Sequence, residues 1–270
     1  MTGWPVVIPG DLGRATPDSL CWSPIVRCNL RCPQCLDDTT VYEAGTTERH
    51  RIARVLADAD VLGVDISGGE PLLLRDLPKL LDIVRSGGRS AVSVTTNGWH
   101  LARRAAELAE YADAIRISLD GPDADHHDAI RGPLSFGRAI EGIQAAVALR
   151  IPVQIQTVLM RRTADCLQEM VDLAERLGAS GFTALQMLPI GTATTLPDEM
   201  LSDDDAIRLF TALNVPKRLH MRLRTRDDAG NFTVIRADGR VWRNDSTALN
   251  ISGLHPLRSA ADLATREGTA

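Results

Sequence analysis

One unit recurs from residue 18 to about residue 190: a short apolar run, a turn of Gly, Asn, Asp or Ser, then a stretch with helical spacing. The apolar runs are Leu20–Val26, Val61–Ser67, Ala91–Thr95, Ala114–Leu119, Val153–Met160 and Phe182–Leu188. Helical spacing follows over Thr47–Ala59, from Asp76 as a cap into Leu77, Leu80, Leu81 and Val84, and over Leu101–Glu110, Phe136–Leu149 and Asp165–Leu177. Strands joined through helices by loops this short imply right-handed parallel crossovers. The pattern therefore predicts an α/β protein with a parallel sheet covered by helices, closed as a barrel or open and doubly wound. In either case the polar residues at the strand ends occupy the edge that carries chemistry.

Composition narrows the function classes. Of 270 residues 44% are hydrophobic, ample for a core, and 30 basic against 35 acidic residues leave a net charge of −5. That balance argues against nucleic-acid and anionic-membrane partners. No apolar run approaches the roughly 18 residues of a membrane span, and the N-terminus has no signal-peptide pattern, so a cytoplasmic location is expected. Lys79 and Lys217 are the only lysines, a skew ascribed to genomic base composition. The pattern predicts an irregular lead-in over 1–17, the strand–helix sheet unit over 18–197 and a small α+β extension over 198–270. In the extension, Asp203–Leu213 reads as a helix, and Phe232–Ile235 and Val241–Trp242 flank the turn Ala237-Asp238-Gly239.

There are five cysteines, and Cys28, Cys32 and Cys35 form a C-x3-C-x2-C loop directly after the first strand. An odd, clustered set argues against a disulfide framework and for an inorganic centre. Three thiolates suit a four-iron cubane with one iron open to a small molecule, whereas structural zinc wants a fourth protein ligand that neither Cys21 nor a histidine supplies at the usual spacing.

Read with Ser67-Gly68-Gly69-Glu70-Pro71, this loop resembles the radical S-adenosylmethionine (radical SAM) enzyme superfamily. Thr95-Thr96-Asn97-Gly98, Ser118-Leu119-Asp120-Gly121, His127–Gly132 and Leu188-Pro189-Ile190-Gly191 continue the resemblance in order. It implies a partial (β/α)6 barrel in which Cys28, Cys32 and Cys35 ligate one [4Fe–4S] cluster whose open iron binds SAM. It further implies that Gly68, Gly69, Glu70 and Pro71 receive the SAM amino group. Ser118 and Asp120 would contact its ribose and methionine portions, Arg131 its carboxylate, and Thr96 and Asn97 would stand beside them. Met187 and Leu188 would lie against the adenine. The chemistry implied is reductive cleavage of SAM to a 5′-deoxyadenosyl radical that abstracts a hydrogen atom, fed by an electron donor such as a flavodoxin or ferredoxin. Gln34 departs from the family, which usually has an aromatic residue before the third cysteine.

Residues 232–264 resemble a SPASM or twitch segment, but Arg243-Asn244-Asp245 stands where relatives place a cysteine, and no cysteine follows Cys166. A cysteine-ligated auxiliary cluster is therefore not expected. A redox-neutral outcome on a small-molecule or peptide substrate is favoured: epimerisation, rearrangement or elimination in natural-product or cofactor biosynthesis. The alternatives are an oxidase or peptide maturase working with a partner protein, and a non-catalytic barrel holding zinc or a structural cluster. Cys166, past the fifth strand, is a candidate hydrogen donor against a packing role. Strand alternation makes Asp65, Arg116, Gln154 and Gln156 candidate barrel-lining groups, with Asp65 as partner to Arg116. Arg161 and Arg162 sit at the expected mouth as candidates for meeting an acidic substrate. His126 and His127 read as loop residues.

Overall fold

The computed structural model describes residues 16–36, 40–228, 232–244 and 251–264. The six expected strands are β1 (Ser19–Trp22), β2 (Gly63–Ile66), β3 (Ala91–Thr96), β4 (Ala114–Ser118), β5 (Val153–Leu159) and β6 (Gly181–Gln186). The tail adds β7 (His220–Arg224), β8 (Thr233–Ile235), β9 (Arg240–Arg243) and β10 (His255–Pro256). The helices are α1 (Thr46–Asp58), α2 (Leu77–Ser86), α3 (Leu101–Leu108), α4 (Ala124–Arg131), α5 (Ser135–Ala148), α6 (Arg161–Ala164), α7 (Leu167–Arg176) and α8 (Asp203–Thr211).

The strands form one sheet in the order β10-β9-β8-β1-β2-β3-β4-β5-β6-β7. Strands β1 to β6 are parallel throughout, as right-handed strand–helix–strand units require. β1 and β6 do not pair with each other, so the six strands make a partial barrel. Alternation sorts their side chains. Val64, Ile66, Val92, Val94, Ile115, Ile117 and Ile155 enter one continuous core with Leu77, Leu80, Leu81, Leu101, Ile143 and Met170 of the helices. Each such side chain, fully buried, contributes about 1.5–3 kcal/mol. Asp65, Arg116 and Gln156, from the opposite face, border the interior.

Four local expectations are corrected. β1 stops at Trp22 because Pro24 has no N–H to continue a ladder. Asp76 precedes α2 but makes no cap bond; its carboxylate instead accepts from Arg49 of α1, Nη2 to Oδ2 at 3.1 Å. The helix expected over Asp165–Leu177 is α7, which starts two residues later at Leu167 with Cys166 as its N-cap, and the short α6 precedes it as a separate turn. His126 and His127 lie on α4, which Asp123 caps by accepting from the His126 N–H at 3.0 Å.

The tail takes both edges of the barrel sheet. β7 pairs parallel with β6, and β8 pairs parallel with β1, so neither barrel edge is left open. The expected hairpin is β8 and β9, antiparallel, turning through Gly239 at a positive φ of 77°. Residues 1–15 of the lead-in, and Asp245 of the segment that replaces the cysteine, lie outside the described residues.

Candidate active site

The cysteine loop is fastened to the β2–α2 turn by backbone hydrogen bonds. Ser67 N–H donates to Trp22, Gly69 N–H to Ile25 and Glu70 N–H to Arg27, at 2.8, 2.8 and 2.9 Å. This pairing explains the two glycines. A Cβ on Gly68 would stand 2.4 Å from the Ile25 carbonyl oxygen, and one on Gly69 2.3 Å from that of Arg27. Gly68 also has a φ of 113°. From the other side, Thr192 N–H donates to the Cys35 carbonyl at 3.0 Å, and a Cβ on Gly191 would meet that oxygen at 2.7 Å. The loop is thus clamped between the ends of β2 and β6.

Glu70 and Asp120 are turned away from the interior that the resemblance assigns them. Glu70 is 0% exposed, and its carboxylate accepts from Leu72 N–H at 2.9 Å, the Thr96 hydroxyl at 2.7 Å and Asn97 N–H at 2.9 Å. Burial raises its pKa against those three donors. The carboxylate ties the β2 turn to the β3 turn. Asn97, so held, donates from Nδ2 to Asn29 Oδ1 at 3.0 Å and approaches Cys28 Sγ at 3.7 Å.

Asp120, also 0% exposed, has both oxygens committed. Oδ2 accepts from Arg131 Nε at 2.6 Å and Gln34 Nε2 at 2.7 Å; Oδ1 accepts from Val158 N–H at 2.8 Å and Thr157 Oγ1 at 3.2 Å. The ion pair fixes Arg131, whose Nη1 comes to 3.9 Å from Cys32 Sγ. Burial pushes the Cys32 thiol up, and Arg131 pulls it back. His127 Nδ1 accepts the Asp120 backbone N–H at 3.1 Å, so the ring is neutral; burial, then Arg131, lowers its pKa from 6.5 to about 4. It is fully buried, edge-on to Phe136, and serves as a structural acceptor.

A single cavity of about 400 Å³ runs from the cysteine loop into the barrel. Cys28, Cys32 and Cys35 border it, with Gly68, Gly69, Thr96, Asn97, Ser118, Arg131, Met187 and Leu188. Glu70, Pro71, Asp120 and Cys166 are not in its wall. Cys166 is 6% exposed in the apolar core, donates to the Thr163 carbonyl at 3.4 Å, and has its pKa raised by burial to about 11. Cys21 also borders the cavity, level with Asp65. The Asp65 to Arg116 approach is present at 3.7 Å, and Gln156 lines the wall while Gln154 does not. Arg161 and Arg162 lie outside the cavity, and Arg162 pairs with Glu199 at 2.6 Å.

Sequence reading missed Arg222 and Arg224 in the same wall, although the alternation of His220, Arg222 and Arg224 with Met221 and Leu223 marks a strand. It also missed the role of Gln34, which is buried and bridges the cysteine loop to Asp120.

The residues present suit a thiolate-held cluster with a small-molecule ligand. Among the described residues no three His, Cys, Asp or Glu side chains gather around one ion position; the thiols border a space instead. Gln34 must present its Nε2 to Asp120, which leaves Oε1 as a buried acceptor with no partner at the cavity wall.

No helix among the described residues is long and apolar enough to cross a membrane. The chain is 31% identical over 208 residues to the mycofactocin maturase MftC of Mycobacterium tuberculosis, covering 74% of this chain and 52% of that protein. It is 35% identical over 161 residues to the GTP 3′,8-cyclase of Pectobacterium atrosepticum, covering 54% and 47%. The chain thus spans about half the length of these curated relatives. In fold it matches Streptococcus suis SuiB, solved bound to the precursor peptide SuiA, with a TM-score of 0.70, 19% identity, and 84% of this chain and 59% of that one covered. The model of the Radical SAM superfamily matches residues 22–174. With its cysteine loop, glycine turn and partial barrel, the chain belongs to the radical SAM superfamily, whose members bind a [4Fe–4S] cluster and SAM.

Proposed function

We propose that Cys28, Cys32 and Cys35 hold one [4Fe–4S] cluster, that SAM lies beside it, and that a hydrogen atom is taken from a small-molecule or peptide substrate in the barrel. The observation that carries this reading is the continuity of one cavity from the three thiols, past Gly68, Gly69, Ser118, Arg131, Met187 and Leu188, to the inner strand faces. When bound, cluster and SAM supply one-electron reduction and, through it, hydrogen-atom abstraction.

The chain's own residues bind and orient. Arg131, with Nε held by Asp120, keeps its remaining guanidinium edge for the SAM carboxylate. Glu70 and Asp120 act as positioning residues, holding Asn97 and Arg131 against the cysteine loop. Gln34 Oε1 offers an acceptor where the family usually has an aromatic ring. The apolar wall at Ile25, Met187 and Leu188 limits water around the reacting atoms.

A redox-neutral outcome is favoured by Arg243 and Asn244 standing where relatives of the twitch-like segment place a cysteine. A flavodoxin or ferredoxin would supply the electron. A second reading, maturation of a peptide together with a partner protein, is favoured by the likeness to MftC, a maturase by name, and to the peptide-bound SuiB.

Anaerobic reconstitution tests the proposal. Iron and sulfide near four each per chain, and 5′-deoxyadenosine released from SAM by a low-potential reductant, are expected. A colourless zinc protein that releases none would overturn it in favour of a non-catalytic barrel.

A further inference from the structure

In the barrel interior Arg222 and Arg224 have no carboxylate within ion-pair distance among the described residues, and only the more distant Asp228 offsets their charge. β7 pairs with β6 in the register Thr183 to Arg222 and Leu185 to Arg224, and Met221 and Leu223 of β7 pack on the core. Alternation then turns Arg222 and Arg224 inward, and both line the cavity with Arg116. Arg222 makes no hydrogen bond or ion pair among the described residues. Arg224 lies over the Phe232 ring, 4.5 Å from its centre, and its buried Nε has no acceptor. Asp228 is the carboxylate whose charge reaches both, and its Oδ2 accepts from Thr225 N–H at 3.3 Å. Asp65, on the Arg116 side, accepts the Ser93 and Thr95 hydroxyls at 2.5 and 2.7 Å and approaches Arg116 at 3.7 Å.

Holding guanidinium groups half out of water with no counter-ion in direct contact is unfavourable. Burial lowers the pKa of both arginines, with further lowering by their like-charged neighbours, and brings Arg224 to about 10. Surface placement would have avoided that cost in a chain whose net charge is −5. An incoming anion completes the pairing, and the planar fork of arginine matches the paired oxygens of a carboxylate or phosphate.

We propose that Arg222 and Arg224, backed by Arg116, form the subsite for an anionic group of the substrate, a carboxylate or a phosphate. The inference rests on the barrel cavity being the substrate site. It specifies the substrate's chemistry: one end anchors on β7 through its oxyanion, while the rest reaches toward the cysteine loop. Arg161 and Arg162, outside the cavity, take no part.

Titration calorimetry on the reconstituted protein with SAM present tests this, using pyrophosphate and succinate as separate probes. Saturable binding of at least one probe is expected, and the preferred probe assigns the anion as phosphate or carboxylate. Affinity should fall at least about tenfold in Arg222→Gln and in Arg224→Gln, the loss of a charged hydrogen bond. Arg222→Lys should recover part of it, and Arg162→Gln should leave it unchanged. Because the buried Arg224 Nε has no acceptor and a methionine can still pack on the Phe232 ring, ligand-free Arg224→Met should melt no lower than the parent, so lost binding is not lost folding. No saturable binding of either probe, or equal binding by the glutamine variants, overturns the proposal. Cluster content and SAM cleavage, measured on the same samples, report separately on the catalytic reading.

Discussion

Replacing Asp120 by asparagine changes one charge and almost no volume, so it isolates the electrostatic tie beneath the cysteine loop. In the parent, Asp120 accepts four hydrogen bonds at 0% exposure, and Arg131, its ion partner at 2.6 Å, has 10% of its side chain exposed. An asparagine that keeps its oxygen toward Val158 and Thr157 must point an NH2 at Arg131 Nε and Gln34 Nε2. Gln34 can rotate its amide and answer with Oε1. Arg131 has no acceptor to offer and is left as a buried charge without its counter-ion. Breaking such a pair from one side costs about 3–5 kcal/mol. That is a large part of the roughly 5–15 kcal/mol that holds a domain together. Urea melts at neutral pH of the parent, Asp120→Asn, Arg131→Gln and the double variant give the coupling. The double variant should lose much less than the sum of the two singles, by about 2 kcal/mol or more. A single variant within about 1 kcal/mol of the parent, or strictly additive losses, would refute the tie.

Three further outcomes follow from the same geometry. Gly69→Ala places a Cβ 2.3 Å from the Arg27 carbonyl oxygen and should cost about 1–3 kcal/mol and lower iron per chain after reconstitution. Gly45→Ala, with no atom within 4 Å of the new Cβ, should change neither. His127 is neutral in the fold with a pKa of about 4 against the usual 6.5, so the unfolded chain binds the proton first. Its contribution is present above pH 6.5 and is lost as pH falls toward 4, about 2 kcal/mol by pH 5; urea midpoints should show this slope, and His127→Gln should flatten it. Cys166→Ala should leave the product unchanged and cost about 1 kcal/mol, since the thiol sits in the core and not at the cavity; a changed product on chromatography would contradict that placement.

What the sequence by itself determined is what local pattern encodes. Period-two and period-3.6 apolar spacing placed β1 to β6 and the helices α1, α2, α3, α5 and α7 within a few residues. The cysteine loop and the turns ending β2, β3, β4 and β6 were legible because each is a short contiguous motif. Only the tertiary structure decided which of those residues face the cavity. Glu70 and Asp120 sit in motifs that read as ligand contacts, yet each is consumed by donors from other loops, Gln34 reaching Asp120 across 86 positions. A carboxylate's partner depends on which strand ends converge, and that depends on sheet order. The tail shows the same limit: β7 and β8 lie on opposite edges of the barrel sheet though close in the chain. Arg222 and Arg224 become cavity groups only through that pairing. Read alone, they are two charges in a polar stretch; beside β6, alternation points them inward, because register rather than residue type sets which face a strand side chain occupies.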